Sequence, residues 1–178
     1  MEKTTSVWKA NLTNGLILGM ISVVYTLVMY FLDLSFNRVQ GYVFLLIEIV
    51  LLYFMLKSYR DNYLHGYIKY GQSVGAGVVI FVYYSIIAAI FAYILYKFID
   101  PGLKDKQLVM VEEMLVKRGT PQQAIDASLA MQKKLLVPEI IALSSIFSNI
   151  LYGTIMSLLV SAFIKKEGNP LIDISDNR

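Results

Sequence analysis

The sequence predicts an all-α protein: a four-helix transmembrane bundle with an extramembrane helical hairpin between helices 3 and 4. Two observations carry this reading. Of the residues, 57% are hydrophobic and only 16% charged, where an average soluble domain carries about a quarter charged. The apolar residues also come in long blocks. Gly15 to Leu32 and Gly71 to Tyr96 hold no charge, Tyr42 to Leu56 holds only Glu48, and Leu135 to Ile164 holds only Glu139. A helix crosses the hydrocarbon layer in about 20 residues, so these four blocks read as spans within one membrane domain of 178 residues.

The first span, about 12–32, follows the polar leader MEKTTSVWKANLTN. It is too long for a signal-peptide core and lacks a small-residue cleavage site behind it. The second, about 42–58, is the shortest apolar run and draws on flanking Tyr and Lys residues. The third covers about 73–98 and the fourth about 137–164, before the polar tail KKEGNPLIDISDNR. No internal repeat supports an inverted-repeat transporter. There is no cysteine, which removes disulfides and thiolate metal sites. The net charge of +3 comes from cations that flank the apolar blocks, which suits helix-end anchors and not nucleic acid.

Residues 100–134 form the polar insertion and read as two short helices. Asp100 suits an N-cap with Pro101 at the first helical position. Leu108, Val111 and Leu115 then share a face, with Met110 and Met114 beside it. Gly119 is a stop, and Thr120 to Gln123 fit a capping box that restarts the chain. Ile125, Leu129 and Leu136 give the second helix its apolar side. Such a hairpin serves either as a lid over its own bundle or as a docking surface for another protein.

Orientation rests on a weak imbalance. Lys3, Lys9, Lys57, Arg60, Lys69, Lys165, Lys166 and Arg178 share one side of a four-span bundle, and Arg38, Lys97, Lys104, Lys106, Lys117, Arg118, Lys133 and Lys134 the other. The short second loop and the Lys165–Lys166 pair lie nearest to spans, which favours cytoplasmic termini.

Glu48 is the one acid deep in an apolar block. Counted from Tyr42 it lies roughly 9 Å into its span. A charge near the bilayer centre costs about 2.5–3.5 kcal/mol, so the side chain is expected to face the bundle interior, protonated and hydrogen-bonded. At matching depth stand Tyr25 and Thr26 on the first span and Ser144, Ser145 and Ser148 on the fourth. Ala88, Ala89 and Ala92 stand there on the third. Asn149 is the other deep polar residue. These predict a buried intramembrane cluster of Glu48, Thr26, Ser144, Ser145, Ser148 and Asn149, either as structural bonds between helices or as a proton or cation site. Gly15, Gly19, Gly71, Gly75 and Gly77 are candidates for close helix packing.

Signals of catalysis are thin. His65 is the only histidine, which excludes sites of several imidazoles. It lies among Tyr59, Tyr63, Tyr67 and Tyr70, as in an interfacial aromatic belt. Asp33 and Asp100 share one membrane edge and Asp61 the other, so they form no single acidic metal site. GQSVGAG lacks the lysine and hydroxyl residue of a phosphate loop. No cofactor is expected.

Three stretches, YRDNYLHGYIKYGQS, FIDPGL and LLVPEIIALSSIFSNILYGTIMSLLVSAFIKK, resemble the bacterial domain-of-unknown-function family 4199, small four-span integral membrane proteins. The resemblance rests on Gly66-Tyr67 with Tyr70-Gly71-Gln72, on Asp100-Pro101, and on Pro138 followed by Gly153. It covers nearly the whole chain and implies a bacterial inner-membrane protein, with no activity to carry over. Those residues cluster at span ends, which favours a fixed shape. The reading that follows is a non-catalytic membrane protein acting by association, a scaffold or modulator of another envelope protein or a self-associating one. The rivals are a small proton-coupled transporter using Glu48 and a lipid-modifying enzyme with a polar cleft near His65 or Asp100.

Overall fold

The computed structural model describes residues 6–166. Residues 1–5 and 167–178 lie outside it, and with them Lys3 and Arg178 of the charge balance and most of the polar tail. Among the described residues six α-helices follow one another: α1 Val7–Phe31, α2 Arg38–Tyr63, α3 Tyr70–Ile94, α4 Leu103–Lys117, α5 Gln122–Leu135 and α6 Pro138–Ile164. A π-helical turn, Leu95–Ile99, extends α3. Among the described residues there is no β-strand beyond one isolated bridge. Helices α1, α2, α3 with its π turn, and α6 are each long and apolar enough to cross a membrane.

Helix ends depart from the apolar blocks for local reasons. α2 starts at Arg38, four residues before the expected Tyr42, because Asn37 caps it by accepting from the Val39 amide at 2.9 Å. It runs on to Tyr63, past the expected Ser58. α3 begins at Tyr70 because the Gln72 side chain accepts from the Lys69 amide at 3.1 Å. Asp100 does not cap α4 as expected. Its carboxylate accepts from the Gly102 amide at 3.0 Å and bends the chain at Pro101, so α4 starts only at Leu103. Thr120 likewise makes no capping box, since α5 starts at Gln122 behind an extended Pro121. Gly119 ends the turn after α4 at φ +70°, a conformation that favours glycine. Pro138 opens α6 in the first-turn position.

α3 is the centre of the bundle, packed most closely on α6 and then on α1. Small residues permit the approach. A Cβ at Gly77 would collide with Ser157, and one at Gly153 with the Phe81 ring. A Cβ at Gly15 would lie 2.8 Å from the Ile80 carbonyl, and one at Gly19 2.6 Å from Ile87. Gly71 and Gly75 take no part in such packing: both face open space. Leu18, Leu52, Leu56, Ile80 and Phe81 are fully buried and seal the half of the bundle away from the hairpin.

At that far end the α2–α3 loop is tied to the end of α6. His65 and Gly66 turn the chain at φ 52° and 84°, and Ile68 and Lys166 exchange two backbone hydrogen bonds of 3.0 Å. The Arg60 guanidinium donates to the Ile164 carbonyl at 3.2 Å, and the Tyr70 hydroxyl to the Leu158 carbonyl at 3.0 Å. The Lys166 ammonium sits 5.6 Å from the centre of the Tyr67 ring. Gly66, Tyr67, Tyr70 and Gln72 therefore form one clamp, and each has a structural task.

The hairpin α4–α5 packs mainly on itself. Leu103 and Ile125 are buried, whereas Val109, Val116, Met131 and Leu135 stay exposed. Ties to the bundle are few: the Tyr96 hydroxyl donates to Gln107 at 3.2 Å, Lys106 pairs with Asp100 at 3.5 Å, and Arg38 touches the Met114 sulfur at 3.8 Å.

Candidate functional site

The site is built where α2 parts from α6. Both helices bury residues mainly in their second halves, Leu52 to Tyr59 on α2 and Gly153 to Ile164 on α6. Toward the hairpin they separate and leave a cleft of about 540 Å³. Glu48 forms its floor and is 3% exposed. Its walls are Phe44, Leu45, Tyr84, Asn149 and Tyr152, and Arg38 stands at the hairpin end.

Because α2 begins at Arg38, Glu48 lies ten residues from the helix start, about 15 Å down the axis. It is deeper than the sequence count from Tyr42 implied, and this displaces its partners. The Tyr152 hydroxyl donates to Glu48 Oε2 at 2.9 Å, and Tyr84 lies beside both the carboxyl and Ser22. Oε1 is buried and has no hydrogen-bond partner among the described residues. Tyr84 and Tyr152 sit near the middle of their helices, so the acid and both phenols meet at mid-span.

Of the polar cluster expected from the sequence, only Asn149 shares the cleft with Glu48. Thr26 bonds the Ser22 carbonyl at 2.8 Å and lines a separate cavity of about 210 Å³, shared with Ser22, Gln40, Ala88, Ala92 and Tyr96. Tyr84 is the wall between the two spaces. Ser144 and Ser145 each bond a carbonyl of their own helix, at 3.1 and 2.8 Å, and Ser148 is exposed. They lie one to two turns too near the hairpin to reach the acid. Tyr25 spends its hydroxyl on the Gln40 carbonyl at 2.7 Å and stacks on Phe44. Tyr84 and Tyr152 were absent from the sequence reading. The available signal was a phenol at the centre of an apolar helix, where a hydroxyl requires a partner.

A carboxyl held by one phenol, next to a second, in a cleft open on one side can exchange a proton or receive a hydrogen-bond donor. The other polar positions are structural. Asp100 accepts from Gly102 and Lys106 and lies 3.4 Å from the Tyr30 hydroxyl. Lys97 joins Glu139 at 2.8 Å and also contacts the Tyr93 hydroxyl, tying the end of α3 to the start of α6 beside Pro138. His65 is exposed in its loop. Asn11 is buried and donates to the Val7 carbonyl at 3.0 Å. Among the described residues no group of three or more His, Cys, Asp or Glu could hold a metal ion.

The family model described as "Protein of unknown function (DUF4199)" matches residues 13–166. No curated protein and no solved structure matches the chain.

Proposed function

The chain belongs to the DUF4199 family, and from that premise we propose that it is a non-catalytic integral membrane protein acting by association. In this reading it scaffolds or modulates another envelope protein, or assembles with itself, in the bacterial inner membrane, with both termini cytoplasmic. The observation that carries the reading is the hairpin. Val109, Val116, Met131 and Leu135 leave its apolar residues exposed while its helices pack mainly on each other. Met131 and Leu135 stand one turn apart on α5, and Val109 and Val116 two turns apart on α4, so each helix carries an outward apolar stripe of the kind that packs on a partner. Gentle detergent extraction followed by native mass measurement tests it. The expected result is a complex heavier than the 20.2 kDa chain; a lone monomer without a co-purifying protein overturns the proposal.

A second reading, a small proton-coupled transporter, is favoured by one observation: the cleft runs from Arg38 at the hairpin end to Glu48 at mid-span, while the buried apolar layer of Leu18, Leu52, Leu56, Ile80 and Phe81 fills the other half. An intramembrane acid facing a cavity is a common element of proton relays. Flux of a candidate solute into proton-loaded liposomes should fall in Glu48→Gln on this reading. Equal flux removes Glu48 from any such mechanism.

A further inference from the structure

Between α4 and the start of α2 lies a third space, of about 470 Å³. Three cations line it, Arg38 from α2 and Lys117 and Arg118 from the end of α4, with Glu113 as the one acid. Glu113 is taken up by Lys117 at 3.7 Å. Among the described residues Arg38 and Arg118 enter no ion pair, and the Arg38 guanidinium rests on the weakly accepting Met114 sulfur at 3.8 Å. Arg38 also occupies the first turn of α2, where a cation opposes the helix dipole. Phe36 and Met114 supply an apolar wall. Below Arg38, at one-turn spacing on α2, Tyr42, Leu46 and Val50 are exposed on a helix long and apolar enough to span the bilayer.

We infer that this space is a binding site for the phosphate head group of an anionic membrane lipid. The phosphate sits between Arg38 and Arg118 with Lys117 beside it. The glycerol region lies on Phe36 and Met114, and an acyl chain runs down the Tyr42–Leu46–Val50 face. Arginine pairs with phosphate through two parallel N–H donors, and basic pockets beside spans are a known form of head-group site. A soluble phosphate would satisfy the same cations, but it would leave the apolar wall and the stripe on α2 unused.

The purified full-length chain, offered equal amounts of phosphatidylglycerol and phosphatidylcholine in mild detergent, provides the test by native mass spectrometry. The expected result is preferential retention of phosphatidylglycerol, falling toward parity with phosphatidylcholine in Arg38→Gln/Arg118→Gln. Lys69→Gln/Lys165→Gln, at the opposite end of the bundle, should leave the preference unchanged. Lys117→Gln/Arg118→Gln, confined to the hairpin, gives the same reading if the first variant does not fold. Equal retention of the two lipids, or an undiminished preference in the arginine variants, overturns the inference. So does displacement of phosphatidylglycerol by inorganic phosphate but not by chloride at equal ionic strength, which would assign the site to a soluble anion.

Discussion

Gly153 and Gly75 show how a single residue's surroundings decide its worth. A methyl group at Gly153 would overlap the Phe81 ring, while one at Gly75 meets nothing within 4 Å. Gly153→Ala should therefore cost about 1–3 kcal/mol through overpacking, and Gly75→Ala should be neutral or gain up to about 1 kcal/mol of helix propensity. Thermal unfolding of both variants in one detergent checks the contrast. For Glu48 the same scale gives a coupling. Glu48→Leu, Tyr152→Phe and their double variant should yield an interaction of about 0.6 kcal/mol, the mean for hydrogen bonds between helices in a membrane protein, and no more than about 1.7 kcal/mol. A coupling near zero would mean that the phenol and the acid do not interact. The inward direction of Glu48 was legible because a charge facing lipid is costly. Its partners were not, because depth was counted from the first apolar residue, whereas the Asn37 cap starts the helix a full turn earlier. Depth taken from Tyr42 matches Glu48 with Ser144, Ser145 and Ser148 and not with Tyr152. The close contacts of Gly77 with Ser157 and of Gly153 with Phe81 depend on how α3 faces α6, which no single helix encodes.

At the scale of elements, long apolar blocks placed all four spans, because the bilayer imposes a length on each. The ends were less legible. They are fixed by capping bonds from polar residues such as Asn37, Gln72 and Asp100, and hydropathy does not register these. The hairpin's two helices were visible from Gly119 and the apolar periodicity, but whether they cover the bundle depends on tertiary contacts. With few ties to the spans, the hairpin should open locally at low cost. Hydrogen exchange in detergent or nanodiscs should therefore show α4 and α5 exchanging well before the central half of α3. Equal protection would indicate that the hairpin is docked as firmly as a span. The opposite end should behave otherwise, since Ile68 and Lys166 are joined by paired backbone bonds and Arg60 holds the last carbonyl of α6.

As a whole the molecule is four helices crossing a bilayer, clamped at the end where the α2–α3 loop meets α6 and parted at the end that carries the hairpin. The parted end holds the cleft to Glu48 and the cationic space around Arg38, so any ligand or partner is expected to act from that face. The division follows from what faces what between α2 and α6: Leu52, Leu56, Met156 and Val160 share one buried core toward the clamp, whereas Glu48, Asn149 and Tyr152 line the cleft toward the hairpin. The chain contains no cysteine, so single cysteines introduced at Gln123 in the hairpin and at Asn62 near the clamp report sidedness directly. In oriented membrane vesicles, a membrane-impermeant thiol reagent should label these two positions from opposite faces, with Gln123→Cys on the outer one. Labelling of both from the same face would contradict the four-span arrangement on which the account rests.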